Sequence, residues 1–256
     1  MLKRKSSVLS YTTVSTLLLI VVFSFVFLEP RNNENTIGKR PDIIMGYDIA
    51  VATDLSQMIE KSAFIVIGKY KAFSSSWNMA RNPDDISQED SENYTEGLLY
   101  TFIIDEVLKG ELNERDILVN HRYSEIVSVL ESDAVTDDRG VIVKEATIEN
   151  VVSFTLHDPL YISPVLDAPY ILFLDRDANS GYFHGPIEPF SIRITSDNNA
   201  VLESNLIDSE GYFEETISVG DAQSFSVYIS KGVAIEDNIS TMSPEDIVQQ
   251  IISEVG

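Results

Sequence analysis

Tyr170-Ile171-Leu172-Phe173-Leu174 places five apolar residues in a row, with Pro169 before them and the turn-forming run Asp175–Gly181 after them. Such a run has no polar face to turn toward water. A strand of this kind is buried on both sides, so residues 170–174 are predicted to form the central strand of a sheet.

Three more strands are predicted on the N-terminal side of this segment. Ala63–Lys71 has a β-branched and aromatic centre, Leu98–Leu108 alternates in character, and Asp116–Arg122 follows a turn at Lys109–Asn113. Ser124–Leu130 fits a helix or a strand equally well. The strands predicted on either side of residues 170–174 are Val151–Leu156, Tyr182–His184 and Phe190–Thr195.

Two helices are predicted from their capping residues. Asp54, with Gln57 three positions on, begins a short helix over Thr53–Ser62. Ser243 followed by Pro244 begins a closing helix, whose apolar face consists of Ile247, Val248, Ile251 and Ile252.

This order of elements predicts a mainly β (α+β) fold, a small OB-like or Greek-key β-barrel with short flanking helices. The barrel domain is expected over residues 43–206. Residues 207–256 are expected to form a C-terminal extension that ends in the closing helix.

The segments KSAFIVIGKYKAF, LLYTFIIDEVLKGEL, DILVNHRY, APYILFLDRD and GYFHGPIEPFSI, in this order, resemble a bacterial exported domain family. The layout is also similar to the netrin-like OB barrel of the tissue inhibitors of metalloproteinases. The matching positions are core and turn residues, so the resemblance implies a fold and no chemistry; they are Gly68, Val107, Leu108, Lys109, Gly110, Tyr170, Leu172 and Phe173. Those inhibitors chelate zinc through an N-terminal Cys, which this chain lacks.

The N-terminus predicts a membrane anchor. Residues 1–7 form a basic stub, and residues 8–28 run without a charge for about 30 Å of helix, enough to span a bilayer. A cleaved secretory signal peptide begins in the same way and is the alternative. Bulky residues stand where a signal peptidase requires small ones, which favours a signal anchor that is not cleaved. The basic stub places the N-terminus in the cytoplasm, and the 29–42 linker and all later residues outside the cell membrane.

The formal charge of −23, from 41 acidic and 18 basic residues, excludes nucleic acid as an expected partner, because that affinity depends on basic residues. The absence of Cys excludes disulfides, thiol nucleophiles and cysteine-zinc sites. The three His residues have spacings of 36 and 27, which fit no metal motif. They are expected as partly exposed residues of strands or turns, with His157 in a loop beside Pro159.

Asp175, Asp177 and Asn179 place oxygen-bearing side chains at alternate positions, as calcium loops do. An EF-hand is excluded, since its Gly and Glu positions hold Ser180 and Pro186. Two interpretations stay open: an ordinary hairpin turn and a weak Ca²⁺ site. No other cofactor is predicted.

Ser74–Gly97 is too long and polar for an ordinary connection, so it is predicted to be a mobile or functional loop. It contains the only Trp of the chain, and the candidate binding residues are Phe73, Trp77 and Met79. They predict contact with an envelope protein or the membrane interface. The alternative is that Trp77 packs back on the barrel mouth.

The catalytic motifs G-x-S-x-G, S-x-x-K and the phosphate-binding glycine loops are absent from the sequence. The leading hypothesis is therefore a membrane-anchored, extracytoplasmic binding module without catalytic activity. The alternatives are a calcium- or small-ligand-responsive sensor and a hydrolase with a carboxylate pair held in one apolar pocket.

Overall fold

The computed structural model describes residues 43–46, 49–130, 135–136, 142–144, 151–207, 211–219, 223–232 and 234–256, which are mainly β-strand with two helices. The strands are β1 Ile43–Gly46, β2 Phe64–Asn78, β3 Arg81–Asn82, β4 Asp85–Glu89, β5 Thr95–Lys109, β6 Asp116–Leu130, β7 Val135–Thr136, β8 Ile142–Lys144, β9 Val151–His157, β10 Pro169–Arg176, β11 Phe183–His184, β12 Ser191–Ile194, β13 Ala200–Leu202, β14 Tyr212–Val219 and β15 Gln223–Ser230. The helices are α1 Leu55–Lys61 and α2 Pro244–Val255.

Five strands pair in a closed ring, in the order β2-β5-β6-β11-β10 and back to β2. All neighbours are antiparallel except β6 and β11, which pair in parallel where Phe183 lies opposite Val119. β12 and β13 extend the sheet from β10. The side chains of Tyr170–Leu174 in β10 are fully buried, which confirms the predicted central strand.

The long β2–β5 ladder bends strongly. Its register shifts at four places between Ile65 and Ser75, and each such bulge bends the strand and adds twist. Gly68 permits the close approach of the two strands, because a Cβ there would lie 2.0 Å from the carbonyl oxygen of Ile103. The Gly matched in the resemblance thus has a steric role in the ring.

Apolar side chains form three clusters. The first fills the ring, with Tyr70, Phe102 and Tyr170 fully buried at its centre. The second lies on the other face of β10 and includes buried residues of α1 and α2. The third lies between β9 and a second sheet of order β1-β15-β14.

Both helices begin at the predicted caps. The Asp54 carboxylate accepts a hydrogen bond from the Gln57 amide at 2.8 Å, and the Ser243 hydroxyl accepts one from the Asp246 amide at 3.1 Å. On α2, Ile247 and Ile251 are fully buried while Ile252 is exposed, so the predicted apolar face is narrower than expected. The helix thus packs into the second cluster.

The prediction of a loop over Ser74–Gly97 is wrong. β2 continues to Asn78 and β5 begins at Thr95, so both ends of the segment extend the β2–β5 ladder, and β3 and β4 form a small hairpin between them. Pairing with β5 keeps Ser74–Ser76 in a strand conformation, although their polar side chains are not buried on either side of the strand. Ser124–Leu130 is strand, because it pairs with β9.

The predicted stub, the anchor over residues 8–28 and the linker over residues 29–42 lie outside the described residues. In the part of the chain that the structure describes, neither helix has the length and apolar character that a bilayer crossing requires. β14, β15 and α2 belong to residues 207–256, and each contributes side chains to the apolar clusters.

Candidate functional site

The second half of β2 lies on the surface. β2 pairs with β10 only from Phe64 to Lys69, whereas it pairs with β5 as far as Asn78. The six residues Lys71–Ser76, which we name the β2 strip, are all exposed. Along the strip the backbone groups facing away from β5 have no strand partner among the described residues.

The segment before β10 ends the pairing on that side. The amide of Asp167, which has a positive φ of 62°, donates a 2.8 Å hydrogen bond to the carbonyl of Tyr70. The Asp167 carboxylate also accepts a 2.9 Å bond from the Lys71 ammonium, which lowers its pKa. The strip begins directly after this contact.

The segment around the strip has an unusual formal charge for this chain. Residues 64–83 contain Lys69, Lys71 and Arg81 and no acidic residue, for a formal charge of +3 in a chain of −23. Salt at physiological strength screens charges beyond about 8 Å, so a ligand at the strip responds to nearby charges, which are these cations together with Asp167 beside Lys71 and Glu89 opposite Arg81.

Apolar side chains stand beside the strip. The Phe73 side chain is 52% exposed and packs edge-on against Tyr100, with 5.7 Å between the ring centroids. Val165 and Leu166, 48% and 47% exposed, directly precede Asp167. Exposed large apolar side chains on a protein surface are candidates for interaction sites. Of the predicted binding residues, Phe73 is the one whose ring is free for contact.

Trp77 is held by the protein. Its indole N–H donates a 2.8 Å hydrogen bond to the side-chain oxygen of Asn120, and its ring lies edge-on to Tyr182 at 4.9 Å. The Arg81 guanidinium lies 4.6 Å from the ring centroid. Gly97 allows this approach, since a Cβ there would lie 2.5 Å from the indole nitrogen.

Met79 is half-buried next to Trp77. Its sulfur accepts a 3.4 Å hydrogen bond from the side-chain amide of Asn120, and its own amide donates to the carbonyl of Thr95. Asn78 fixes the end of β2, because its side chain bonds the carbonyls of Asp90 and Asn93. Trp77 and Met79 therefore position the end of the strip.

The candidate metal ligands are occupied by the protein. Asp177 Oδ1 accepts hydrogen bonds from the amides of Asn179 and Ser180 and from the Ser180 hydroxyl, at 2.7–3.1 Å. These bonds outweigh partial burial and lower the pKa of Asp177. Asp175 Oδ1 accepts from the Ala63 amide at 2.7 Å. Within the described ranges no three acidic or His side chains converge to hold a metal ion.

A buried polar cluster that the sequence did not predict lies at one end of the ring. Tyr70 Oη and His121 Nε2 are 3.0 Å apart, and burial lowers the pKa of His121 to about 4. Burial also raises the pKa of Tyr70 well above its ordinary value. His121 and His184 lie on strands β6 and β11, as predicted, whereas the expectation of a loop at His157 is wrong, because this residue ends strand β9.

The carboxyl groups of Glu188 and Glu203 line a small cavity together with Tyr70 and His121. Burial raises the pKa of Glu188 to about 7, while Glu203 bonds the Arg193 guanidinium at 2.6 Å. The cavity volume is about 20 Å³, room for one water molecule. Pairs of acids with differing environments serve in catalysis, but this cavity has no space for a substrate.

The segment 158–166 covers this cluster. Tyr161 bonds Tyr100 through their hydroxyls at 2.8 Å, and the Val165 amide donates to Tyr170 at 2.9 Å. Burial, with the Tyr161 bond, raises the pKa of Tyr100 to about 12. A larger cavity of about 170 Å³, with Leu55, Met58 and Ile239 in its wall, lies beside α1.

No protein-family model, curated protein or solved structure matches the chain. The resemblance to exported barrel domains therefore stays a prediction.

Proposed function

We propose that the protein is a non-catalytic binding module that an N-terminal anchor holds on the outer side of the cell membrane. Its contact surface is the β2 strip. One observation carries this proposal: six consecutive exposed residues, with an exposed Phe73 and no acidic residue, in a strongly acidic chain.

An OB-type barrel supports this function. The ring order β2-β5-β6-β11-β10, with β6 and β11 parallel, has five members, as an OB barrel does. OB barrels bind through one sheet face and through the loops after the first and fourth strands. Here those connections follow β2 and β10, and they meet where Trp77 contacts Tyr182.

The proposed partner is a protein of the cell envelope. An exposed aromatic ring beside apolar and basic side chains is the composition of interaction hot spots, which favour aromatic residues and Arg. The acidic remainder of the chain disfavours anionic partners elsewhere on its surface.

Photo-crosslinking tests this proposal. A benzoylphenylalanine replaces Phe73 in the full chain, expressed in its native membrane, and the control replaces Tyr212, which is 55% exposed on β14. We expect an adduct with a discrete envelope protein from position 73 and none from position 212. Equal adducts from both positions, or none from 73, would overturn the proposal.

The absence of Cys allows the topology to be tested separately. A single Ser74→Cys substitution adds the only thiol of the chain at an exposed site. A membrane-impermeant maleimide should label it in intact cells. Labelling only after lysis would contradict the extracytoplasmic placement.

Neither alternative function gains comparable support. The calcium hypothesis requires several oxygen ligands that converge, whereas Asp177 Oδ1 accepts three hydrogen bonds of its own turn and no three acidic or His side chains converge within the described residues. The hydrolase hypothesis requires a carboxylate pair with room for a substrate, whereas Glu188 and Glu203 line a cavity of about 20 Å³.

A further inference from the structure

The backbone of the β2 strip presents an open edge. Along residues 71–76, the side opposite β5 has no strand partner among the described residues, and every one of the six residues is exposed. An open strand edge presents a row of N–H and C=O groups that another extended chain can pair with.

The usual protection of edges is sparse here. Proteins block such edges with Pro, with charges, with β-bulges or with a covering segment. Ala72–Ser76 contains neither Pro nor charge, and Lys71 at its start is paired with Asp167. Two register shifts, between Tyr70 and Ala72 and between Phe73 and Ser75, interrupt the strip, and beyond the second one Ser75 and Ser76 pair regularly opposite Leu99 and Leu98.

The basic residues around the edge favour a binding partner of one charge. Lys69, Lys71 and Arg81 are the only charged residues between positions 64 and 83. A peptide strand that carried Asp or Glu would meet Lys69 and Arg81 on either side of the strip, beyond the Lys71–Asp167 pair, whereas the strip of a second copy would bring the same cations to this edge.

We propose that the open edge of β2 accepts an extended acidic peptide segment of the partner as an added strand. The inference rests on the proposed function and specifies how the same surface binds. Main-chain hydrogen bonds supply affinity in this mode, and the alternating side chains supply specificity. Phe73 offers an apolar contact, so the peptide is expected to alternate acidic with apolar residues.

Two neighbouring proline variants test the mode of binding. In a regular antiparallel pair, neighbouring residues direct their N–H groups to opposite sides. Of Ser75→Pro and Ser76→Pro, one therefore removes a bond to β5 and the other removes a donor from the open edge. Ser75→Ala and Ser76→Ala are the matched controls, since they keep both amides.

The binding probe is a displayed library of random octapeptides, selected on the full chain in lipid nanodiscs. We expect the enriched peptides to alternate acidic with apolar residues. The proline variant that keeps the wild-type melting temperature should bind these peptides at least about tenfold more weakly, and both alanine variants should bind normally. Enrichment of basic peptides, no enrichment, or unchanged binding to both proline variants would overturn strand addition.

Charge reversal and sedimentation complete the test. Lys71→Glu with Arg81→Glu should weaken binding of the acidic peptides by about tenfold at low salt and less at high salt. Sedimentation of the peptide-free chain should show a monomer; a dimer that the edge-blocking proline dissociates would assign the edge to a second copy and overturn the proposal.

The two proposals fail separately. If crosslinks from position 73 persist in the edge-blocking variant, the binding surface stands and strand addition falls. If no crosslink forms from position 73 in any variant, the proposed function itself falls.

Discussion

The ring of Trp77 at the end of β2 lies edge-on to the ring of Tyr182, between β10 and β11, with 4.9 Å between their centroids. This contact joins two turns that are far apart in the sequence. Trp77 and Met79, two of the predicted binding residues, lie at the first, and Asp177 and Asn179, two of the predicted calcium ligands, lie in the second.

Removal of the Trp77 ring should lower stability. Trp77→Ala deletes the contact with Tyr182 and leaves the buried Asn120 side chain without the indole donor. We expect a loss of about 2–4 kcal/mol in the free energy of unfolding, measured by urea titration. Trp77→Phe keeps a ring and should lose about 1 kcal/mol. Equal stability of all three proteins would show that the ring has no structural role.

Gly68 should be intolerant of any side chain. Gly68→Ala places a Cβ 2.0 Å from the Ile103 carbonyl oxygen, so the β2–β5 ladder must shift. We expect a loss of roughly 3 kcal/mol or more, or failure to fold. Gly46→Ala is the matched control, because a Cβ at Gly46 meets no atom within 4 Å. A folded Gly68→Ala protein with the melting temperature of the control would contradict the proposed packing of the ring.

The free energy of unfolding should depend on pH through His121 and Glu188, which have opposite effects. His121 has a folded-state pKa of about 4, below its ordinary value of 6.5, so its contribution is present above pH 6.5 and is lost as the pH falls toward 4. Glu188 has a folded-state pKa of about 7, above 4.5, so its contribution is present below pH 4.5 and is lost as the pH rises toward 7.

Single variants should separate the two effects. Relative to wild type, Glu188→Gln should lose stability more steeply as the pH falls from 6.5 to 4.5, since only the His121 effect remains. His121→Gln should gain stability over the same fall, by up to about 3 kcal/mol. Urea titrations at pH 4.5, 5.5 and 6.5 measure both slopes. Parallel profiles for the three proteins would contradict these pKa shifts.

Asp177 should stabilise its turn without calcium. Asp177→Ala removes the acceptor of three hydrogen bonds, so we expect a loss of about 1–3 kcal/mol that is equal in EDTA and in Ca²⁺. Asn179→Ala keeps the backbone donor and should lose less. A Ca²⁺-specific rise in melting temperature that Asp177→Ala abolishes would restore the sensor hypothesis.

Short sequence patterns predicted the helices and strands that neighbouring residues determine. The caps Asp54 and Ser243 mark both helix starts, and the apolar run of residues 170–174 marks the central strand. These features act within a few residues, where the sequence order itself sets the contacts.

The features that the sequence did not predict arise from tertiary pairing. Ser74–Ser76 form strand because β5 pairs with them, although their polar side chains follow no strand pattern. His121 and Glu188 are 67 positions apart in the sequence, and the fold places both in the wall of one cavity, where loss of contact with water shifts their pKa values. A lone His or Glu in a sequence carries no sign of such burial.

The parallel pairing of β1 with β15 has a mechanical consequence. Ile43 to Gly46 lie opposite Val227 to Ser230, and the N-terminal segment of the chain joins the fold at Ile43. Tension applied to that segment along the axis of β1 pulls all four residue pairs in shear at once, whereas tension across the sheet would peel them apart one by one. Under the proposed N-terminal anchoring, the direction of pull at Ile43 thus sets how much force the domain resists before β1 detaches.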